Sequence, residues 1–267
     1  MVPSSKKAAD FLRSYNSRQN WSLSDSIIYY ILMDPSTSKV YEKLIQSCKY
    51  FFIKNPILVV SCLSFDYKDG WRTTLVNLDN TSRKIWITNE ISNLNKQKFF
   101  SSLIPKLYKS DAKEITLWSQ NVYFHDLKSI ASKCRRIWFN KVSVINENGT
   151  IIPLENILEI LPYVKDFDYY IPDNSSHIIT SKTVKELLRM PHFSVIRRFE
   201  LSEIPEDFDI ERFYGYIKNN NKTRIRLYFS QLIPNQYKNR LEAIIHEILE
   251  TKTHDYKNNN KTRIFFN

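Results

Sequence analysis

The chain has 267 residues, 42% of them hydrophobic and 25% charged, which is enough for a sizeable core. Aromatic residues reach 14%, a level that excludes disorder along the whole length. The net charge is +11, but the basic residues are spread along the chain. An AT-rich coding bias toward Lys, Asn, Ile, Tyr and Phe accounts for that charge as well as an acidic partner does.

Glycine occurs only three times, as Gly70, Gly149 and Gly215. Phosphate-cradling loops need clustered glycines so that backbone amides can approach the ligand. A P-loop, a dinucleotide fingerprint and a G-x-S-x-G elbow are therefore all excluded. Cys48, Cys62 and Cys134 form no C-x-x-C pair, which argues against a disulfide framework or zinc site and for a reducing compartment. The start of the chain has no apolar core of signal-peptide length, and no segment approaches about 18 uninterrupted apolar residues. These features predict a cytoplasmic or nuclear location without membrane contact.

In chain order, residues 1–20 are polar. Helical spacing runs from Trp21 to Phe52, with Ile27, Ile28, Ile31 and Leu32 on one face, a break at "DPSTS" (34–38), and Ser24 or Asp25 as N-cap. "NPILVVSCL" (55–63) reads as a buried strand or helix, and "RTTLVNLD" and "KIWIT" read as strands. From 114 onward strands and helices alternate. The strands are "EITLWSQNV" (114–122), "RRIWFNKVSV" (135–144), "KDFDYYI", "VIRRFELSEI", "TRIRLYFSQL" (223–232) and "TRIFF". The helices between them are "YFHDLKSIASKC", "LENILEILPYV" (154–164), "SKTVKELLRM" (181–190), "DIERFYGYIKNN" (209–220) and "QYKNRLEAIIHEILE".

This rhythm, with a period of roughly 20 to 40 residues, predicts an α/β repeat architecture with a parallel sheet. Period-2 alternation gives each strand one face toward the helices and one toward solvent or a partner. The heptapeptide "NNNKTRI" occurs at 219–225 and again at 258–264. It reads as a helix-to-strand junction at equivalent places in successive units. Asn would supply a left-handed turn, and Ile225 and Ile264 would lie on the buried face.

Residues 23–52 resemble an F-box. Leu23 stands at the leading Leu, Ile31 and Leu32 at the aliphatic pair, and Leu44 with "SCKYF" (47–51) at the closing helix. Ser24 replaces the family's Pro and Phe51 its Trp. The rest of the chain is similar to the irregular leucine-rich-repeat-like region of F-box receptors, in the style of nematode F-box-like families, although the strict L-x-x-L-x-L-x-x-N repeat is absent. The resemblance implies an F-box-like helical module over 1–52 and a leucine-rich-repeat-like β/α solenoid over 53–267. It also implies a non-catalytic substrate receptor of a Skp–cullin–F-box ubiquitin ligase, with an unknown protein substrate. Leu23, Ile28, Ile31, Leu32 and Leu44 would contact the Skp-type adaptor of the cullin complex, although some of them must face the chain's own core. Arg136, Trp138, Arg198, Arg224 and Arg226 are the candidate partner-binding face. The alternatives are a stand-alone repeat scaffold with a decayed F-box, and a basic nucleic-acid-binding protein.

No enzyme, cofactor or metal site is expected. His125, His177, His192, His246 and His254 have no metal spacing, and adjacent residues such as His125 and Asp126 do not face each other on a helix. The i, i+4 pair Glu155 and Glu159, with Asp166, offers an acid set only if one member is desolvated. "KCRRIWF" and "NKTRIRLYF" interleave arginines with aromatics, a combination that can hold phosphates and bases or anchor a protein.

Overall fold

Parallel pairing dominates the chain because its apolar strands are joined by helices, which bring each strand back in the same direction. The computed structural model describes residues 22–66, 70–73, 83–93, 103–173, 177–220, 222–255 and 262–266. Among these residues three short helices come first: α1 (Asp25–Met33), α2 (Ser38–Ser47) and α3 (Lys49–Lys54). They are followed by β1 (Ile57–Asp66), β2 (Gly70–Arg72), β3 (Lys84–Asn93), β4 (Leu107–Ser110), β5 (Glu114–Trp118) and β6 (Asn121–Tyr123). Next come α4 (Phe124–Ala131), β7 (Arg136–Asn140), β8 (Ser143–Ile145), α5 (Leu154–Glu159) and β9 (Asp166–Tyr170). The chain closes with α6 (Thr183–Arg189), β10 (Arg198–Ile204), α7 (Ile210–Asn219), β11 (Arg224–Phe229), α8 (Asn235–Asp255) and β12 (Thr262–Phe265). No described helix is long and apolar enough to cross a membrane.

The main sheet has the order β12-β11-β10-β9-β7-β5-β3-β1-β2, with β4 also paired to β3. All these pairs are parallel except β1–β2. From β3 to β12 the order in space follows the order in sequence. Glu114, Arg136, Asp166, Arg198 and Arg224 share one register row, so the intervening units are 22, 30, 32 and 26 residues long.

Two predicted strands are each split. The stretch 114–122 breaks at Ser119 (φ 44°) and 135–144 breaks at Lys141 (φ 52°). Beyond those left-handed residues, β6 and β8 pair with each other in a separate two-stranded parallel sheet. Glu203 (φ 62°) occupies the matching place in β10, but there it is a register shift inside the strand, and Ile204 beyond it still pairs with Phe229. In this glycine-poor chain, Ser, Lys and Glu adopt a conformation that ordinarily favours Gly.

The inner rows of the sheet explain the apolar alternation. Ile115, Ile137, Phe167, Phe199 and Ile225 form one row, and Leu117, Phe139, Tyr169, Leu201, Leu227 and Ile264 the next. All are buried against the helices in one continuous core. Phe167 and Phe199 stack at 5.9 Å, and Phe193 meets Phe199 edge-on at 5.1 Å. Each such buried side chain stabilises the fold by about 1.5–3 kcal/mol.

The "NNNKTRI" copies both run into strands, but not at equivalent places. Ile225 pairs with Thr262, and Ile264 pairs two residues further along, with Leu227. The second copy is thus two residues out of step, an offset that keeps the same side chains on the buried face. Asn220 is extended (φ −113°, ψ 110°) rather than left-handed. It makes the turn with its side chain, whose Oδ1 accepts from the Lys222 amide (2.8 Å) and the Thr223 amide (3.1 Å). The Thr223 hydroxyl donates to the Ile196 carbonyl at 2.8 Å. Residues 258–261 lie outside the described residues.

The helical module is joined to the sheet by a polar and aromatic seam. Tyr41, Ile57 and Trp86 form a buried cluster flanked by Ile45, Val59 and Tyr108. The Asn55 amide donates to the Leu32 carbonyl at 2.7 Å, and the Tyr108 hydroxyl donates to the Met33 carbonyl at 3.1 Å.

Candidate binding face

The outer face of the sheet carries the residues that alternate with the core. Its first row is Glu114, Arg136, Asp166, Arg198 and Arg224. The second is Thr116, Trp138, Asp168, Glu200, Arg226 and Arg263. The third is Trp118, Asn140, Tyr170, Ser202, Tyr228 and Phe265, with Tyr228 and Phe265 stacked at 4.7 Å. The structure therefore brings Arg136, Trp138, Arg198, Arg224 and Arg226 together on one face.

Trp138 is 56% exposed, although a ring of its size is usually covered. The Arg198 guanidinium lies 5.9 Å from the centre of that ring. Its Nη2 donates to Asp168 Oδ2 at 2.9 Å and to Glu200 Oε2 at 2.8 Å. Arg226 Nη1 reaches the same Glu200 oxygen at 3.4 Å. Burial and the neighbouring Glu200 push the Asp168 carboxyl up to about 6, against the pull of Arg198 and Arg226. Two carboxylates on adjacent strands thus compete for one guanidinium, and Asp168 is the less well served. Burial works to lower Arg198, but its bonds to Glu200 and the charges of Glu200, Asp168 and Asp166 outweigh that and raise it.

At the N-terminal ends of the strands this face dips into an open cleft of about 530 Å³, lined by Trp138, Arg136, Arg197, Lys222 and Arg224 among others. Arg136 is paired with Glu114. Arg197 lies 3.5 Å from Asp166. The acids Glu114, Asp168 and Glu200 were readable at the same period-2 offsets as the arginines, but only pairing across strands shows that they stand beside them.

The F-box-like residues divide between the inside and the outside of the module. Ile28 and Leu32 are buried with Phe51 in its own small core, and Ile31 and Leu44 are half-buried. Leu23 is exposed, and so are Ile27, Tyr30 and Met33, with Tyr30 reaching 73%. Ile27 therefore does not share the buried face that the sequence predicts for it with Ile28, Ile31 and Leu32: one residue before Ile28 it turns about 100° away and lies with Tyr30 on the exposed side.

The other sequence candidates are scattered. His125 does reach its neighbour: Nε2 lies 2.9 Å from Asp126 Oδ1, because the ring stacks on Tyr123 at the start of α4 and turns back over a buried carboxylate. Burial raises the Asp126 carboxyl, and His125 opposes the shift. His192 Nε2 lies 2.9 Å from the Leu158 carbonyl, His177 and His246 are exposed, and the His254 side chain lies outside the described residues. Glu155 is buried and accepts from the Thr183 hydroxyl at 2.7 Å, whereas Glu159 is exposed and Asp166 lies on the sheet face, so the three do not form an acid set. Among the described residues no three His, Cys, Asp or Glu side chains group to hold a metal ion.

No family model matches this chain, and no curated protein matches it in sequence.

Proposed function

We propose that the chain is a non-catalytic adaptor. Its N-terminal helices dock to a Skp-type adaptor of a cullin ubiquitin ligase, and an irregular leucine-rich-repeat-like solenoid presents a protein target to that ligase in the cytoplasm or nucleus. The observation that carries the reading is the asymmetry of the main sheet. One face packs against the core, while the other carries register-aligned arginines and an exposed Trp138 on β7, β10, β11 and β12. Arg and Trp in such a setting are the residue types that most often dominate protein interfaces.

The solenoid reading is supported by strand order that follows chain order, as expected of units that contact only their neighbours. The adaptor reading is supported by the F-box-like spacing of residues 23–52 and by the exposed stripe of Leu23, Ile27, Tyr30 and Met33. Ile28 and Leu32 then act indirectly, by holding α1 against α3.

Calorimetric titration of purified chain with a purified Skp-type adaptor tests the adaptor half. Binding is expected for the natural chain and is lost in an Ile27→Arg, Tyr30→Arg variant that keeps the natural melting temperature. An absence of heat with the natural chain favours the stand-alone scaffold. A titratable, salt-sensitive complex with RNA or DNA favours the nucleic-acid reading.

A further inference from the structure

The cleft at the strand N-termini has an unbalanced charge ledger. Arg136 is matched by Glu114, Arg197 by Asp166 and Arg198 by Asp168. Lys222 and Arg224 line the same cleft at its β11 end, and neither forms an ion pair with any described residue. Both are exposed, yet Thr223 between them and Ile225 after them are fully buried. Strand alternation and the Asn220 turn therefore fix these two cations on one side of the cleft wall. At the other side lies the open ring of Trp138.

We infer that this cleft binds an extended acidic segment of a protein partner, with an apolar side chain on Trp138 and one or two carboxylates on Lys222 and Arg224. The inference rests on the reading that the open sheet face takes a protein, and it specifies that protein's chemistry. Trp138 in β7 and Arg224 in β11 are three strand spacings apart, about 14 Å at roughly 4.8 Å each, and one register row apart along the strands, about 7 Å, which puts them about 16 Å from each other. An extended peptide advances about 3.3 Å per residue, so the apolar and acidic anchors lie about five residues apart. A continuous phosphodiester backbone fits less well. Glu114, Asp166, Asp168 and Glu200 stand among the arginines on the same rows and would meet its phosphates at close range. A peptide can place its few carboxylates only where cations are unmatched.

Selection of a random dodecapeptide display library on the full chain tests the inference, run in parallel on the natural protein and on Lys222→Glu, Arg224→Glu. Both positions are exposed, and equal melting curves establish that the variant is folded. The natural protein is expected to enrich Asp and Glu about threefold over the input, about five positions from an apolar residue. The variant is expected to lose that enrichment and shift toward Lys and Arg. Trp138→Ala is expected to weaken the best acidic peptide about fivefold or more. The inference is overturned by an acid-poor pool, by the same pool on both proteins, by no pool at all, or by an oligonucleotide of matched charge that binds more tightly than the best peptide. An acid-poor pool that still depends on Trp138 removes the acidic chemistry and leaves the protein-binding face standing. A pool indifferent to all three residues removes both.

Discussion

The Tyr41 hydroxyl accepts the Ile57 amide proton at 3.0 Å and donates its own proton to the Asn55 carbonyl at 2.6 Å. One side chain from α2 therefore braces the backbone at the first step of β1, where the Ile57 N–H is shared between the Tyr41 hydroxyl and the Asn55 carbonyl (2.9 Å). Tyr41 and Trp86 are both almost wholly buried, so the first helices and the first parallel strands share a core.

This seam predicts that the helical module and the sheet unfold together. Tyr41→Phe keeps the ring but removes both hydrogen bonds of the hydroxyl, leaving the Ile57 amide only the Asn55 carbonyl at 2.9 Å, at a cost of about 1–3 kcal/mol. Tyr41→Ala is expected to cost about 3–5 kcal/mol, as for other buried aromatics. Removal of residues 1–52 uncovers Trp86 and is expected to lower the melting temperature of the remainder by more than Tyr41→Phe does. Thermal melts of the three proteins, followed by Trp fluorescence and far-ultraviolet dichroism, check the order. A truncated chain as stable as the natural one would show that the module is a separable attachment.

The heptapeptide repeat predicts a contrast between neighbours. Ile225 is buried in the inner row and Lys222 is exposed. Ile225→Ala is expected to cost about 2–5 kcal/mol through lost burial and a cavity. Lys222→Ala is expected to stay within about 0.5 kcal/mol. Ile264 retains slight exposure on the last described strand, so Ile264→Ala is expected to cost less than Ile225→Ala. Urea melts of the three variants give the comparison.

Asp168 predicts a pH dependence of definite sign. Its carboxyl is held near 6 in the folded chain, above the value of about 3.9 for an unfolded Asp. Between those values the folded state binds the extra proton, so this residue's contribution to stability falls as pH rises from 4 to 6 and is level above that. Asp168→Asn removes the effect. The stability of the variant relative to the natural chain is therefore expected to rise by on the order of 2 kcal/mol across that window. Denaturant melts of both proteins at pH 4.5, 5.5 and 7 measure it. A constant difference would mean that Arg198 holds Asp168 ionised throughout.

Much of the fold was legible because its signal is local. The alternation in "RIWF", "RFEL" and "RIRL" marks inner and outer faces without knowledge of the partners, and the strand–helix rhythm from Glu114 onward follows directly. What escaped was set by tertiary context. The breaks at Ser119 and Lys141 carry no glycine, so β6 and β8 read as extensions of longer strands. The repeat's two-residue offset appears only once β11 and β12 are paired. Within "DSIIYYILM" every aliphatic fits a helix, and packing alone puts Ile28 and Leu32 inside while Ile27 and Tyr30 stay outside. On the candidate face the arginines are visible as a type, whereas acids that pair with Arg136, Arg198 and Arg226 come from neighbouring strands 22 to 30 residues away.

On the proposed reading, one chain joins two different proteins through two different surfaces. Quantitative affinity purification with mass spectrometry separates the two, using the natural chain, an Ile27→Arg, Tyr30→Arg variant and a Trp138→Ala, Arg226→Ala variant at matched expression. The first variant is expected to lose Skp-type adaptor and cullin but keep a target protein, and the second to lose the target but keep the adaptor and cullin. Recovery of neither adaptor nor cullin by the natural chain, or loss of both partners in each variant, would contradict that reading.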